Sequence, residues 1–444
     1  MSGHESGGAA AMRRVVVVGG GPAGTAAAEA AASHGAEAVL IDAAAALGGR
    51  CGGRAPDRAP EGVEHLADSV VWAIEPMTDG HRVHVRTGPV DALERTGRAI
   101  EARALILAAG ARDRVLPFPG WGLPGVHALG EVSGLVERGG IAGGGRVIVA
   151  GSGPFLVPAA VALAEAGAQV TAILEAGDPL SGMLARPGGV LAGRSKTREA
   201  ARYAAALARH DIPLRRRSAV VAALGEERVE AVFATRVDED WYPVPNSLRR
   251  FEVDAVVAGF GCTPQLEPAV AAGCAVENGF VAVNAAQATS VRGVFAAGDL
   301  TGVAGADVAA AEGRVAGAAA AKLLGARVRA PVRELRRVRA GRRFAAALAE
   351  AYPIRPGWRD WLREGTVVCP CEAVVYGEIR EAVEDAGLGG ARSLAAATRA
   401  GVGWCRGRIC GRNVAALAGL PEADVFADGP LLAPVRLGEL AEEA

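Results

Sequence analysis

The first strongly apolar segment is an uninterrupted run, "RVVVVGG" (14–20), that breaks at a cluster of glycines, continues through the alanine-rich "TAAAEAAASHG" and returns to a second apolar run in "AEAVLID". Short continuous apolar runs bounded by turn signals mark strands buried on both faces, and the longer alanine-rich stretch marks a helix. The same alternation recurs in "RVIVAGSGPFLVPAAVALAEAGAQVTAILEA" (146–176). Two strand–turn–helix–strand starts predict an α/β chain with two parallel sheets faced by helices, one nucleotide-binding domain inserted in the other. Between them, "LPFPGWGLPGV" (116–126) reads as a crossover connection, because Pro117, Pro119 and Pro124 exclude regular helix and central strand.

The pattern changes at "RVRAPVRELRRVRAGRRF" (327–344), which reads as a solvated helix or a docking face, and the segment "FADGPLLAPVRLGELAEEA" (426–444) reads as an extended arm or a loose terminus. The expected organisation is a disordered tail at 1–13, the first nucleotide-binding domain at 14–125 and 251–326, and the second at 126–250. A linker or docking region at 327–364, a small module at 365–418 and a tail at 419–444 complete it.

Composition narrows the classes. With 444 residues, 50% hydrophobic and 22% charged, the chain can bury its cores without covalent staples, and no apolar run is long enough to cross a bilayer. A net charge of −1 supplies no global field for nucleic acid or an anionic membrane. The opening "MSGHESGGAAAMRR" has no basic start followed by an apolar stretch, and seven cysteines without an export signal fit a reducing, cytoplasmic setting in which thiols serve metals or redox chemistry. Basic charge is almost all arginine, Lys196 and Lys322 being the lysines, which together with the alanine richness reads as coding bias.

Gly19, Gly21 and Gly24 follow a strand and open a helix, and Asp42 ends the next strand. The first glycine permits the turn, the second lets backbone approach a pyrophosphate, the third lets helix and strand pack closely, and the acid accepts from ribose hydroxyls. "ALILAAGAR" around Gly110 reads as a second crossing near the same ligand, and "VRGVFAAGDLTG" puts Asp299 after Gly298 at a strand end, where a carboxylate can bind the hydroxyls of a flavin's ribityl chain. In the second unit Gly151 and Gly153 are present, but Leu156 holds the third position, which is expected to push the helix away and weaken the cradle. Glu175 there disfavours a 2'-phosphate, so the site would take NAD, another adenine nucleotide or nothing.

Cys369 and Cys371, then Cys405 and Cys410, form a C-x-C and a C-x4-C pair flanked by Gly403, Gly407 and Gly411. Four thiolates can hold a 2Fe-2S cluster or close a zinc site. The C-x-C spacing favours the cluster, since structural zinc knuckles separate their cysteines by two to four residues, and the glycines let backbone amides approach inorganic sulfides. Cys51 has no cysteine near it in sequence, which argues against disulfide reduction, while Cys262 and Cys274 are expected as small apolar core residues. No catalytic set stands out among the seven histidines.

The segments around Gly19, Gly110 and Asp299, in that order, resemble the flavoproteins with two dinucleotide-binding domains of the disulfide-reductase type, where they hold FAD. "LGGR" fits the glycine pair of that family and adds Gly49 and Arg50 to the implied FAD contacts. "CPCEAVVYGEIREAVEDAG" with "TRAGVGWCRGRICG" resembles the bacterioferritin-associated-ferredoxin-like 2Fe-2S domain, which implies that its four cysteines are ligands. Nearly the whole chain is similar to the alpha subunit of heteromeric FAD-dependent amino-acid dehydrogenases, the group of opine oxidases, proline and hydroxyproline dehydrogenases and the flavin subunit of hydrogen cyanide synthase. That resemblance implies a smaller FAD-containing beta subunit that oxidises an amine, in some relatives a further small subunit or an FMN at a subunit interface, and a one-electron acceptor. Two other readings stay open: a self-sufficient NADH-dependent reductase feeding an external acceptor, and a non-catalytic assembly subunit with structural zinc.

Overall fold

Strand β1 (Arg14–Val18), helix α1 (Pro22–Ser33) and strand β2 (Glu37–Ile41) start one unit, and β3 (Arg146–Gly151), α2 (Leu156–Glu165) and β4 (Gln169–Glu175) start the other, as the apolar periodicity predicts. The computed structural model describes residues 13–49, 58–89, 92, 94–137, 144–178, 197–384, 387–388, 390–421 and 431–441. Contacts divide the chain into a first unit of residues 1–111, 264–342 and 427–444 and a second of residues 112–263 and 343–426.

In the first unit five parallel strands run in the order Val294–Ala296, Ala104–Leu107, β1, β2, Val63–Leu66. Val15, Val16, Val17, Leu105 and Ile106 are fully buried, which is why these runs show no alternation. One face of the sheet carries α1 and α3 (Ala306–Leu323). Their packing gives part of the alanine and glycine content a structural role. A Cβ on Gly313 would lie 2.0 Å from the Ala23 carbonyl oxygen and one on Gly317 2.2 Å from that of Ala27, so the two helices meet backbone to backbone and only glycine and alanine fit between them. The other face buries a three-stranded antiparallel sheet, Ser69–Met77, Gly80–Thr87 and Thr96–Ala102.

Residues 431–441 are not an arm held out for a partner. Leu432 is buried in the first unit's core and its amide donates to Trp72 O at 2.7 Å. Arg95 donates through Nε and Nη2 to the two carboxylate oxygens of Glu439 at 2.7 and 2.5 Å, with side chains only 3% and 8% exposed, and Arg86 donates to the Glu439 carbonyl. The Arg95 hydrogen bonds hold the Glu439 carboxyl down at about 2. Its stabilising contribution is therefore complete above the ordinary carboxyl value and lost as pH falls through about 2. Arg95→Ala leaves a buried carboxylate without its partner, and we expect it to lower unfolding stability by about 3–5 kcal/mol in denaturant titrations; a change under about 0.5 kcal/mol would contradict the buried pair.

The second unit repeats the parallel arrangement, in the order Leu214–Arg216, β4, β3, Ala255–Gly259, Val126–Ala128. The boundary expected at 250/251 thus falls at 263/264, because "AVVAG" (255–259) pairs with β3 and not with the first sheet. An apolar run announces burial without saying in which sheet. The region expected as a linker is ordered: Val332–Ala351 is a helix, and the turn Pro356–Trp361 sits in a second-unit core with Trp241, Phe260 and Leu116. Trp241 and Trp361 stack at 6.1 Å, and a Cβ on Gly357 would lie 2.4 Å from the Trp241 backbone. Cys274 is buried in the first unit's core and Cys262 is half-buried; Cys51 and Arg50 lie outside the described residues.

Candidate cofactor sites

The turn after β1 is shaped by close approaches. A Cβ on Gly24 would sit 1.7 Å from Gly19 O, and one on Gly19, which has φ +109°, would sit 2.3 Å from Ala108 O. Gly21 is different. Among the described residues its Cβ position meets nothing nearer than Gly49 Cα at 4.0 Å, so the turn is packed solid on the side of Gly19 and Gly24 and open at Gly21. Gly49 faces it, with φ +66°, and Gly48 N donates to Gly20 O at 2.9 Å. Helix α1 has Pro22 in its first turn, no side-chain cap and no acid there, so its leading amides are left for an anion. Asp42 is half-exposed, with Oδ1 accepting from Ala44 N at 2.9 Å, and Gly110 has φ +70° and no atom within 4 Å of its Cβ position. These residues fit the pyrophosphate and ribose of a dinucleotide.

Asp299 sits in the turn Gly298–Leu300, its carboxyl pushed up to about 6 by burial and then by the charge of Glu312. The turn is held by residues that sequence reading missed. Glu312, 1% exposed, accepts from Gly298 N at 2.9 Å, Thr301 Oγ1 at 3.0 Å and Arg342 Nε at 2.8 Å. Arg342 also donates to Gln287 Oε1 at 3.1 Å and Thr301 Oγ1 at 3.2 Å. The available signal was one acid in an otherwise alanine- and glycine-lined helix face, and one arginine hidden among many.

The second glycine turn keeps the tight approach of the first at Gly151 and leaves the Gly153 Cβ position open, but its helix starts later. A Cβ on Gly151 would be 1.7 Å from Gly259 O, yet α2 begins at Leu156, the position matching Gly24, where α1 is already in its third residue. Leu156 is buried in one core with Val147 and Val149. Glu175, 4% exposed, turns both carboxylate oxygens inward: Oε2 accepts from Gly153 N at 3.1 Å and Oε1 from Gly177 N at 2.9 Å. Burial raises its carboxyl, and burial with the Glu175 charge pushes Tyr352 up to about 12. Glu175, expected to disfavour a 2'-phosphate, is thus sealed and occupies the Gly153 amide.

The four cysteines come together in a module with its own core of Val368, Val374, Ile379, Leu394, Ala400 and Val414. Its anchor is the proline-rich segment: Trp121 Nε1 donates to Val367 O at 2.6 Å and the Asn413 amide to Val115 O at 3.0 Å. Among the described residues no three His, Cys, Asp or Glu side chains surround a single metal position. The thiols instead form two couples, Cys369 with Cys410, both fully buried, and Cys371 with Cys405, nearer the surface. Four thiols gathered in one small module fit the thiolate ligands of a 2Fe-2S cluster. The Cys410 thiol hydrogen-bonds to Cys369 and holds it down at about 6, helped by the amides of Gly401, Glu372 and Cys371, while Cys410 is raised as the donor. Burial raises Cys371. A Cβ on Gly403 would lie 2.5 Å from Cys371 Cβ, so the exposed couple forms only with glycine there.

A sheet of this topology with an uncapped glycine turn, followed by a four-cysteine module, defines a flavoprotein with an iron-sulfur domain. The chain belongs to the pyridine nucleotide-disulphide oxidoreductase family, which it matches over residues 13–313, and residues 367–418 match the BFD-like [2Fe-2S] binding domain. It is thus an oxidoreductase whose cofactors are FAD and a 2Fe-2S cluster. Among its relatives, hydrogen cyanide synthase subunit HcnB of Pseudomonas aeruginosa is 32% identical over 75% of this chain and 72% of that protein. An opine oxidase subunit of Agrobacterium tumefaciens is 29% identical over 85% and 77%. In fold it is similar to L-proline dehydrogenase from P. horikoshii, with a TM-score of 0.68 at 20% identity over 96% of this chain and 80% of that one.

Proposed function

We propose that this chain is the electron-transferring alpha subunit of a heteromeric dehydrogenase acting on amines or amino acids of the opine, proline, hydroxyproline or glycine type, in the cytoplasm. The observation that carries the reading is the coexistence, in one chain, of an open dinucleotide cradle and two cysteine couples, in a protein whose relatives are named as subunits. Bound FAD accepts two electrons together, and the cluster passes them singly. The chain's own part is to hold them: the glycine turn and α1 present amides to the pyrophosphate, Asp42 to the ribose, and Asp299, steadied through Glu312 and Arg342, to the ribityl chain. Cys369, Cys371, Cys405 and Cys410 hold the irons.

The test is turnover with an artificial acceptor. The purified chain alone is expected to oxidise glycine, proline, hydroxyproline or octopine at background rate and to gain activity when the smaller FAD-containing beta subunit is added; robust turnover by the chain alone would overturn the reading. Anaerobic titration with NADH is expected to leave the flavin absorbance unbleached, since Glu175 and Leu156 spoil the second cradle. Stoichiometric bleaching would establish the NADH-dependent reductase instead.

A further inference from the structure

In the second unit a three-stranded antiparallel sheet, Ser218–Leu224, Ala231–Arg236 and Arg249–Glu252, packs one face on the parallel sheet. Its register sets Ser218 opposite Arg236 and Ala234 opposite Arg249. Side chains alternate faces along a strand, so Arg236 and Arg249 stand on the face whose other members, Val220, Val232 and Ala234, are buried in one core with Leu174. On the parallel sheet Arg215 is the register partner of Leu174 and shares its face. At this edge the two sheets leave a cavity of about 230 Å³, lined by Arg215, Arg216, Arg236, Arg249, Ser218 and Phe251 among others, and by no acidic residue. Arg216 donates to Asp178 Oδ1 at 3.2 Å. Among the described residues the guanidinium groups of Arg215, Arg236 and Arg249 have no ion pair and no hydrogen bond. Residues 179–198, which follow Asp178, contain no acid either. Three like charges thus face one small space without a counter-charge from the chain, an arrangement that repulsion disfavours until an anion enters.

We infer that this cavity is a binding site for a small phosphorylated molecule. A phosphate group carries close to two charges and its oxygens accept from several directions, so guanidinium groups arriving from three different strands can all reach it, whereas a planar carboxylate is matched by a single guanidinium fork. The enclosed volume suits a small molecule, and Phe251 offers an apolar side to the part of it that carries no charge. None of these residues belongs to either glycine turn or to the cysteine module, so the site adds a ligand to the two cofactors.

Inorganic pyrophosphate and citrate are the probes, since both are small and multiply charged but differ in the anionic group. The whole chain, with FAD bound so that the first cradle is filled, is titrated calorimetrically at low ionic strength. Pyrophosphate is expected to bind one to one, about tenfold or more tighter than citrate, and to weaken as salt is added. Arg236→Ala and Arg249→Ala should each cost about tenfold in affinity, and the double variant should abolish binding. Arg250→Ala removes the same charge from the opposite face of the same strand, where Arg250 pairs with Glu252 at 2.9 Å, and should bind as the parent does. Pyrophosphate should raise the melting temperature of the parent and leave that of the folded double variant unmoved, which separates a lost site from a damaged fold. The absence of saturable binding, citrate binding as tightly as pyrophosphate, or an affinity that survives the double variant would each overturn the proposal. So would an equal loss in Arg250→Ala, since general positive charge and not the cavity would then hold the anion.

Discussion

Gly24→Ala is expected to yield protein that folds, by circular dichroism, but purifies with little or no flavin. The added methyl would start 1.7 Å from the Gly19 carbonyl oxygen, a backbone atom that has no rotamer to escape into, so α1 has to move off β1. The amides of its first turn move with it. A displacement of that kind costs about 3 kcal/mol, roughly a hundredfold in FAD affinity. The second unit illustrates the geometry that results: Leu156 occupies the matching place, the helix begins there, and Gly153 N has turned to Glu175. Visible absorbance of the purified variant and its titration with added FAD measure the loss. Flavin content equal to that of the parent chain would show that the cradle is not where the pyrophosphate binds.

Replacing one member of either cysteine couple should have the opposite selectivity. Cys410→Ser in the buried couple and Cys371→Ser in the outer one are both expected to abolish iron content and the reduced-state resonance signal while FAD remains bound. Because ligation energy is also folding energy for such a small module, each should melt it at a lower temperature than the parent. Cys410→Ser is the more damaging, since its couple lies within the Val368–Ile379–Val414 core, whereas Cys371 is exposed. Metal analysis that found one zinc and no iron in the parent chain would make the module structural and remove the one-electron path.

The parallel sheets and both glycine turns were legible because burial on both faces leaves unbroken apolar runs, and because a tight turn next to a helix N-terminus can be built only with glycine at set positions. Long-range pairings were not. Nothing local in "VRLGELAEE" says that Glu439 will find Arg95, and nothing in "AVVAG" says which sheet it joins. Glu312 and Arg342 escaped notice since one buried acid among alanines and one arginine among many carry no spacing signal until the helices are packed. The cysteine spacing gave a ligand count, but only the tertiary structure divides the four into couples.

Glu439 lies 344 residues beyond Arg95 in the chain and closes the same small sheet. During synthesis the ribosome must therefore deliver residue 439 before the first unit can finish, and until then the antiparallel strands wait with an unmatched arginine in their midst. Any early stop upstream of residue 431, even one that leaves every cofactor contact intact, is expected to release a nascent product that captures flavin poorly and falls to proteolysis.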